Sequence, residues 1–115
     1  MSAFKTFLKD PNAVKPFFFV WCDRDGTNDG STTDRGELQG ETISSYTVTV
    51  DTGLTKDSDN KAAVEIHGVS YAINTVVTVW LSGGTVNTSY NVLCRIVTSG
   101  NRTLDKTLTI KVQQS

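Results

Sequence analysis

The C-terminal quarter of the chain constrains the fold more than any other part. From Thr103 to Val112, Leu104, Leu108, Ile110 and Val112 fall on one parity, and Thr103, Asp105, Thr107, Thr109 and Lys111 on the other. A period of two is the signature of a strand with one buried and one solvated face. Lys106 is the one polar intrusion on the apolar parity. The preceding stretch, Ser89 to Val97, places Tyr90, Val92, Cys94 and Ile96 on one face, with Leu93 and Val97 partly loading the other. Ser99-Gly100-Asn101 between them is a turn by composition. The two segments predict a C-terminal β-hairpin, and a hairpin needs further strands to cover its apolar face.

Those strands are found upstream. Tyr46, Val48 and Val50 alternate with Ser45, Thr47 and Thr49 until Asp51-Thr52-Gly53 ends the run. Thr75 to Leu81 is apolar or β-branched on both faces and leads into Ser82-Gly83-Gly84. Phe17 to Trp21 is another apolar run, and Ala62 to Val69 a weaker one. No segment has the pattern of a long helix, and no repeat or heptad is present. With 115 residues, one core is what the chain can build. The expectation is an all-β, immunoglobulin-like β-sandwich over residues 17–115, preceded by an N-terminal arm over 1–16. In the arm, Phe4, Phe7 and Leu8 have helical spacing, suited to one helical turn or to a segment lying on a neighbour. Residues 23–40 are polar, with Gly26, Gly30, Gly36 and Gly40, and a loop of that length in so small a domain is functional or mobile.

Composition excludes several classes of function. Eleven basic against twelve acidic residues, a formal net charge of −1, and no basic stripe argue against nucleic acid as a partner. No apolar run is long enough to span a bilayer, and Asp10-Pro11 interrupts the N-terminal segment before a signal-like stretch develops. Synthesis in a cytoplasm follows as the expectation, with Cys22 and Cys94 as free, buried thiols. Their order with Trp80 superficially resembles an antibody domain. The spacing does not, because Trp80 lies near the second cysteine and Tyr90 precedes Cys94 by four residues rather than two.

Candidate chemistry is incomplete at every point. Counting a calcium-loop register from Asp25 puts Thr27 third, Asp29 fifth and Gly30 sixth. The twelfth position is then Gly36, with Glu37 one residue late. Turn formation accounts for the same Asp, Asn and Gly residues. His67, the only histidine, would share a strand face with Glu65, and two residues do not make a metal site. A nucleophilic role for Cys22 or Cys94 would require His67 as base, yet both cysteines lie in apolar strand patterns. Asp57 and Asp59 fall in a turn-rich segment. The triplets Asn87-Thr88-Ser89 and Asn101-Arg102-Thr103 match the glycosylation acceptor, but lie in turns of a chain with no secretory signal. The expectation is therefore no enzyme, no cofactor and no metal. For Phe17-Phe18-Phe19 two readings stay open: both faces buried within the domain, or one face packed on another subunit.

Gly40-Glu41-Thr42-Ile43-Ser44 and Val79-Trp80-Leu81-Ser82-Gly83-Gly84-Thr85 resemble a family of small bacteriophage virion proteins, the fibre-tail adaptors of short-tailed phages. The resemblance continues through Tyr90, Cys94-Arg95-Ile96, Thr98 and Arg102, and begins at Lys9-Asp10-Pro11 and Trp21. The chain departs from the family pattern over 22–39, where a longer polar loop follows Trp21, and at Gly100-Asn101-Arg102, where the family has Gly directly before Arg. The resemblance implies a non-enzymatic connector in the virion tail that joins fibres to the nozzle or adaptor assembly in multiple copies. Its partners would be other virion proteins, with no nucleic acid and no membrane. Phe4, Phe7, Leu8, Phe18 and Trp80 are the candidate partner-binding residues. A capsid decoration protein and a calcium- or sugar-dependent binding module are the alternatives.

Overall fold

A computed structural model describes residues 4–9 and 13–113, with side chains described from residue 13 onward. Among the described residues the chain is all β. The strands are β1 (Phe4–Lys9), β2 (Lys15–Val20), β3 (Ile43–Val50), β4 (Leu54–Asn60), β5 (Val64–Ile66), β6 (Val69–Tyr71), β7 (Val76–Gly83), β8 (Thr88–Thr98) and β9 (Thr103–Val112). One sheet has the order β1-β9-β8-β3 and the other β2-β7-β4, with β5-β6 as a separate small hairpin. Taken without β1 and the small hairpin, this is the strand order of an immunoglobulin-like sandwich. Five of the six strand pairs are antiparallel, and β1 alone runs parallel to its neighbour, β9.

The C-terminal hairpin forms as expected, with Tyr90 opposite Ile110, Val92 opposite Leu108 and Ile96 opposite Leu104. Its apolar parity meets the inward residues of the other sheet, Phe17, Phe19, Val77, Val79 and Leu81, in one continuous core. Trp21, Phe19, Val92, Ile96 and Ile110 are among its fully buried side chains. Removing such area from water, at about 25 cal/mol per Å², is the main source of stability in a domain this small. Phe17 and Phe19 face this core, while Phe18 is half-buried on the outer side of its sheet.

Three local expectations are corrected. The helical turn drawn from Phe4, Phe7 and Leu8 is a strand, in which Phe4 pairs with Thr107 and Lys9 with Val112. Edge pairing with β9 supplies hydrogen bonds that an isolated turn does not. The polar segment containing Asp57 and Asp59 is β4, an edge strand whose outer side chains are exposed and which bulges at Asp57. The single strand over Ala62–Val69 is instead the β5–β6 hairpin. His67 and Gly68 occupy its turn, with φ of 49° and 82°, so His67 does not share a strand face with Glu65.

Tyr90, at the start of β8, accepts a hydrogen bond at Oη from the Thr85 N–H, 2.8 Å away. This closes the β7–β8 connection much as a tyrosine corner does, in spite of its different spacing from the following cysteine.

Candidate functional site

The 23–40 loop is built around one buried carboxylate. Asp34 Oδ2 accepts the Asp29 and Gly30 N–H groups, each at 3.0 Å, and its Oδ1 accepts the Gly36 N–H at 2.9 Å. Gln39 Nε2 donates to the Asp34 and Gly36 carbonyls. Asn28 bridges both ways, from Nδ2 to the Glu41 carbonyl and from the Gly40 N–H to its Oδ1. Leu38 is buried in the core and donates its N–H to the Trp21 carbonyl. Gly36 presses on the backbone after Trp21, where a Cβ would stand 2.4 Å from the Cys22 carbonyl carbon. The loop is therefore laced to itself and to the end of β2, without regular secondary structure.

A second clasp joins the end of this loop to the β8–β9 turn. Arg102 Nε donates to Glu41 Oε1 at 3.0 Å, and its Nη2 donates to the Glu37 and Leu38 carbonyls. Thr42 and Ser99 exchange two hydrogen bonds beside it. The Thr98 hydroxyl first, and then Arg102, hold the Glu41 carboxyl below its usual range.

Lys106 completes the arrangement from β9. Its ammonium is largely buried, 4.8 Å from the centroid of the Trp21 ring, and donates to the Val20 carbonyl and to Glu37 Oε2. The Trp21 Nε1 is buried with no nitrogen or oxygen acceptor among the described residues. Its neighbour is the Cys94 sulfur, a weak acceptor. Val20, Cys22, Asp23, Arg24, Arg35, Glu37 and Lys106 line a cleft of about 620 Å³ between the loop and β9.

The other predicted residues are distributed as follows. Phe18 and Trp80 lie on the outer face of the β2-β7-β4 sheet, where Phe18 pairs with Thr78 and Pro16 with Trp80. Trp80 is 38% exposed. Phe4, Phe7 and Leu8 belong to β1 in the other sheet, and their side chains lie outside the described residues. Asp25 and Asp29 accept the N–H groups of Thr27 and Ser31 in local turns; the Thr27 hydroxyl and then its N–H lower the Asp25 carboxyl from its ordinary range, and the Ser31 N–H and then its hydroxyl lower that of Asp29. Among the described residues no three His, Cys, Asp or Glu side chains are grouped as metal ligands. His67 is exposed and shares no hydrogen bond with either thiol among the described residues. Cys22 and Cys94 are both free and buried. Burial raises both thiols, Cys94 to about 12, so neither is a ready thiolate. Asn87 and Asn101 stand in turns at φ of 65° and 63°. The Asp34 hub, the Arg102 clasp and the Lys106 cleft escaped sequence reading. The signals available were a buried-type Leu38 inside a polar loop and a lysine on an apolar parity.

A family model described as podophage GP4 fiber-tail adaptor protein gp77 matches residues 9–111. No curated protein matches the chain. The match spans both sheets and the intervening loop, and the chain belongs to this family of short-tailed-phage fibre-tail adaptors.

Proposed function

From membership of the fibre-tail adaptor family, a structural class of tail component, we propose that this chain is a non-enzymatic connector that attaches fibres to the tail nozzle assembly. It is made in the host cytoplasm and built into the tail in multiple copies, with virion proteins rather than nucleic acid or membrane as partners. The observation that carries the reading is the family match over residues 9–111, which takes in nearly the whole sandwich.

The chemistry of the described residues supports it. An adaptor needs a stable scaffold that presents complementary surfaces and no reacting group. Here the buried carboxylate Asp34 braces a loop, and the carboxylates Glu41 and Asp105 pair with arginines. The thiols are buried. The surfaces left for partners are the 23–40 loop, the outer face bearing Phe18 and Trp80, and the sheet edges.

The test is to produce particles from a phage in which the gene is interrupted and to complement it in trans. Purified particles are then examined by electron microscopy and by mass spectrometry of their fibre protein. The expected result is particles with heads and tails but little fibre, restored by complementation. Particles with a full fibre complement would overturn the reading, and a defect confined to the head surface would transfer it to capsid decoration.

A further inference from the structure

The cleft beside the 23–40 loop has the features of a socket for an acidic side chain. Arg95 and Arg102 each meet a carboxylate, Asp105 and Glu41 respectively, and the Arg95–Asp105 pair is bidentate at 2.7 and 3.1 Å. Arg24 and Arg35 differ. Among the described residues neither guanidinium has an acceptor, both side chains are exposed, and both line the same cleft. A guanidinium matches a carboxylate with two parallel donors, so two unpaired ones flanking a concavity form a recognition element for such a group.

The backbone holds the two arginines in place. The Arg35 N–H donates to Asp23 Oδ2 at 2.9 Å, tying residue 35 to the residue before Arg24. The close approach of Gly36 to Cys22 and Asp23, with Asp34 bonded on its other side, fixes the same junction. The largely buried Lys106 ammonium in the same cleft is already paired with Glu37, so Arg24 and Arg35 carry its unpaired positive charge. The cleft carries three cationic and two anionic side chains, in a chain whose net charge is −1. Asp23 and Glu37 at the same rim disfavour a continuous phosphate backbone, while leaving room for discrete carboxylates. About 620 Å³ accommodates one or two side chains of a peptide.

We propose that this cleft binds an acidic segment of a partner protein, with Arg24 and Arg35 clamping an Asp or Glu carboxylate over Lys106. That the segment belongs to a neighbouring virion protein rests on the adaptor reading; the affinity for carboxylates does not.

The test is titration of the full chain with a terminally blocked hexaglutamate peptide, followed by amide chemical shifts and calorimetry. Shifts are expected at residues 20–24, 35–37 and 106, with binding that weakens as salt is raised. The Arg24→Gln/Arg35→Gln double variant, altered only at exposed side chains, is expected to lose about tenfold in affinity, and Arg95→Gln to leave it unchanged. Absence of binding, equal binding by the double variant, or equal binding of hexaglutamine would overturn the proposal. Tighter binding of oligothymidylate at the same amides would reassign the cleft to nucleic acid. If the peptide binds at the cleft while gene-interrupted particles keep their fibres, the adaptor reading fails and the socket stands.

Discussion

Lys106 sits on the apolar parity of β9, opposite Cys94, where an aliphatic residue would be the ordinary choice. Its stem packs inward while its ammonium reaches Glu37, the Val20 carbonyl and the Trp21 face. Lys106→Met keeps the stem volume but strands an acceptor and a carboxylate. It is expected to cost about 2 kcal/mol and to lower Tm by roughly 10 °C, read by thermal denaturation. An unchanged Tm would show that the contacts are incidental. Burial also sets the pH response. Cys94 is raised to about 12 by burial, against the pull of Lys106, and Tyr46 to about 12 by burial and then by its hydrogen bond to Asp59. A proton held more tightly in the folded state contributes stability that is complete below the ordinary values of 9.0 and 10.0. It is lost as pH rises from there towards about 12. Asp59 is shifted down, first by Lys56 and then by Tyr46, so its contribution is present above the ordinary carboxyl range and lost as pH falls through the folded value. Urea midpoints are expected to decline above pH 9 and again in acid, whereas a flat alkaline limb would contradict the burial of the thiol. In the native state both cysteines should resist alkylation at pH 8 and react on unfolding.

The 23–40 loop depends on Asp34 and Gly36, and each makes a separate prediction. Asp34→Ala removes the acceptor of three backbone N–H groups and is expected to cost about 3 kcal/mol. Asp34→Asn should cost less, because its carbonyl still accepts the Asp29 and Gly30 N–H groups. Gly36→Ala forces a Cβ into the Cys22–Asp23 backbone, which cannot rotate away, and is expected to cost 1–3 kcal/mol or more. Denaturant melts rank the three variants; an Asp34→Ala protein as stable as the parent would remove the hub. What was legible in the sequence follows from the same physics. Half-buried strands announce themselves by parity, so β8, β9 and β3 could be read from residues such as Ile110 and Val48. The strand β4 could not, because Thr55, Lys56, Asp57 and Ser58 are exposed on an edge and its inward Asp59 is polar, satisfied by Tyr46 across the sandwich. The site was less legible still. Arg102 and Lys106 act through contacts with residues distant in the chain, and Asp34 through backbone groups of an irregular loop, so no local pattern distinguishes them from solvated charges. The string Trp80 to Thr85, part of the family resemblance, builds the end of β7 and the turn after it. Gly83 and Gly84 have φ of 76° and 97°, a Cβ on Gly84 would meet Val112, and Thr85 donates to Tyr90. The signature therefore reports the fold.

At the scale of the whole molecule, the two larger sheets have four edges among the described residues, β1 and β3 in one and β2 and β4 in the other. Free edges are liabilities in a protein present at high local concentration, and are also ready-made joints for assembly. The bulge at Asp57 on β4 and the Lys15-Pro16 start of β2 interrupt two of them. β1 works differently. By pairing in parallel along β9, from Phe4 opposite Thr107 to Lys9 opposite Val112, it covers the edge of the longest hairpin in the fold. Deleting residues 1–10 thus removes a cover as well as a candidate partner contact, and the two roles are separable. The core built by the described side chains lies in β2 to β9 and the connections between them, so the truncated chain is expected to remain folded, with a native-like near-ultraviolet spectrum and a lower Tm. The uncovered β9 edge is expected to promote self-association, seen as a rise in sedimentation coefficient with concentration that the full chain does not show. If β1 serves only as a cover, truncated protein kept dilute still incorporates into particles when supplied in trans. If it also contacts a neighbour, the folded truncated chain fails to incorporate at any concentration. A truncated chain with unchanged Tm and no self-association would mean that the β1–β9 ladder contributes nothing to the isolated protein, and its purpose would have to be sought in the assembled tail.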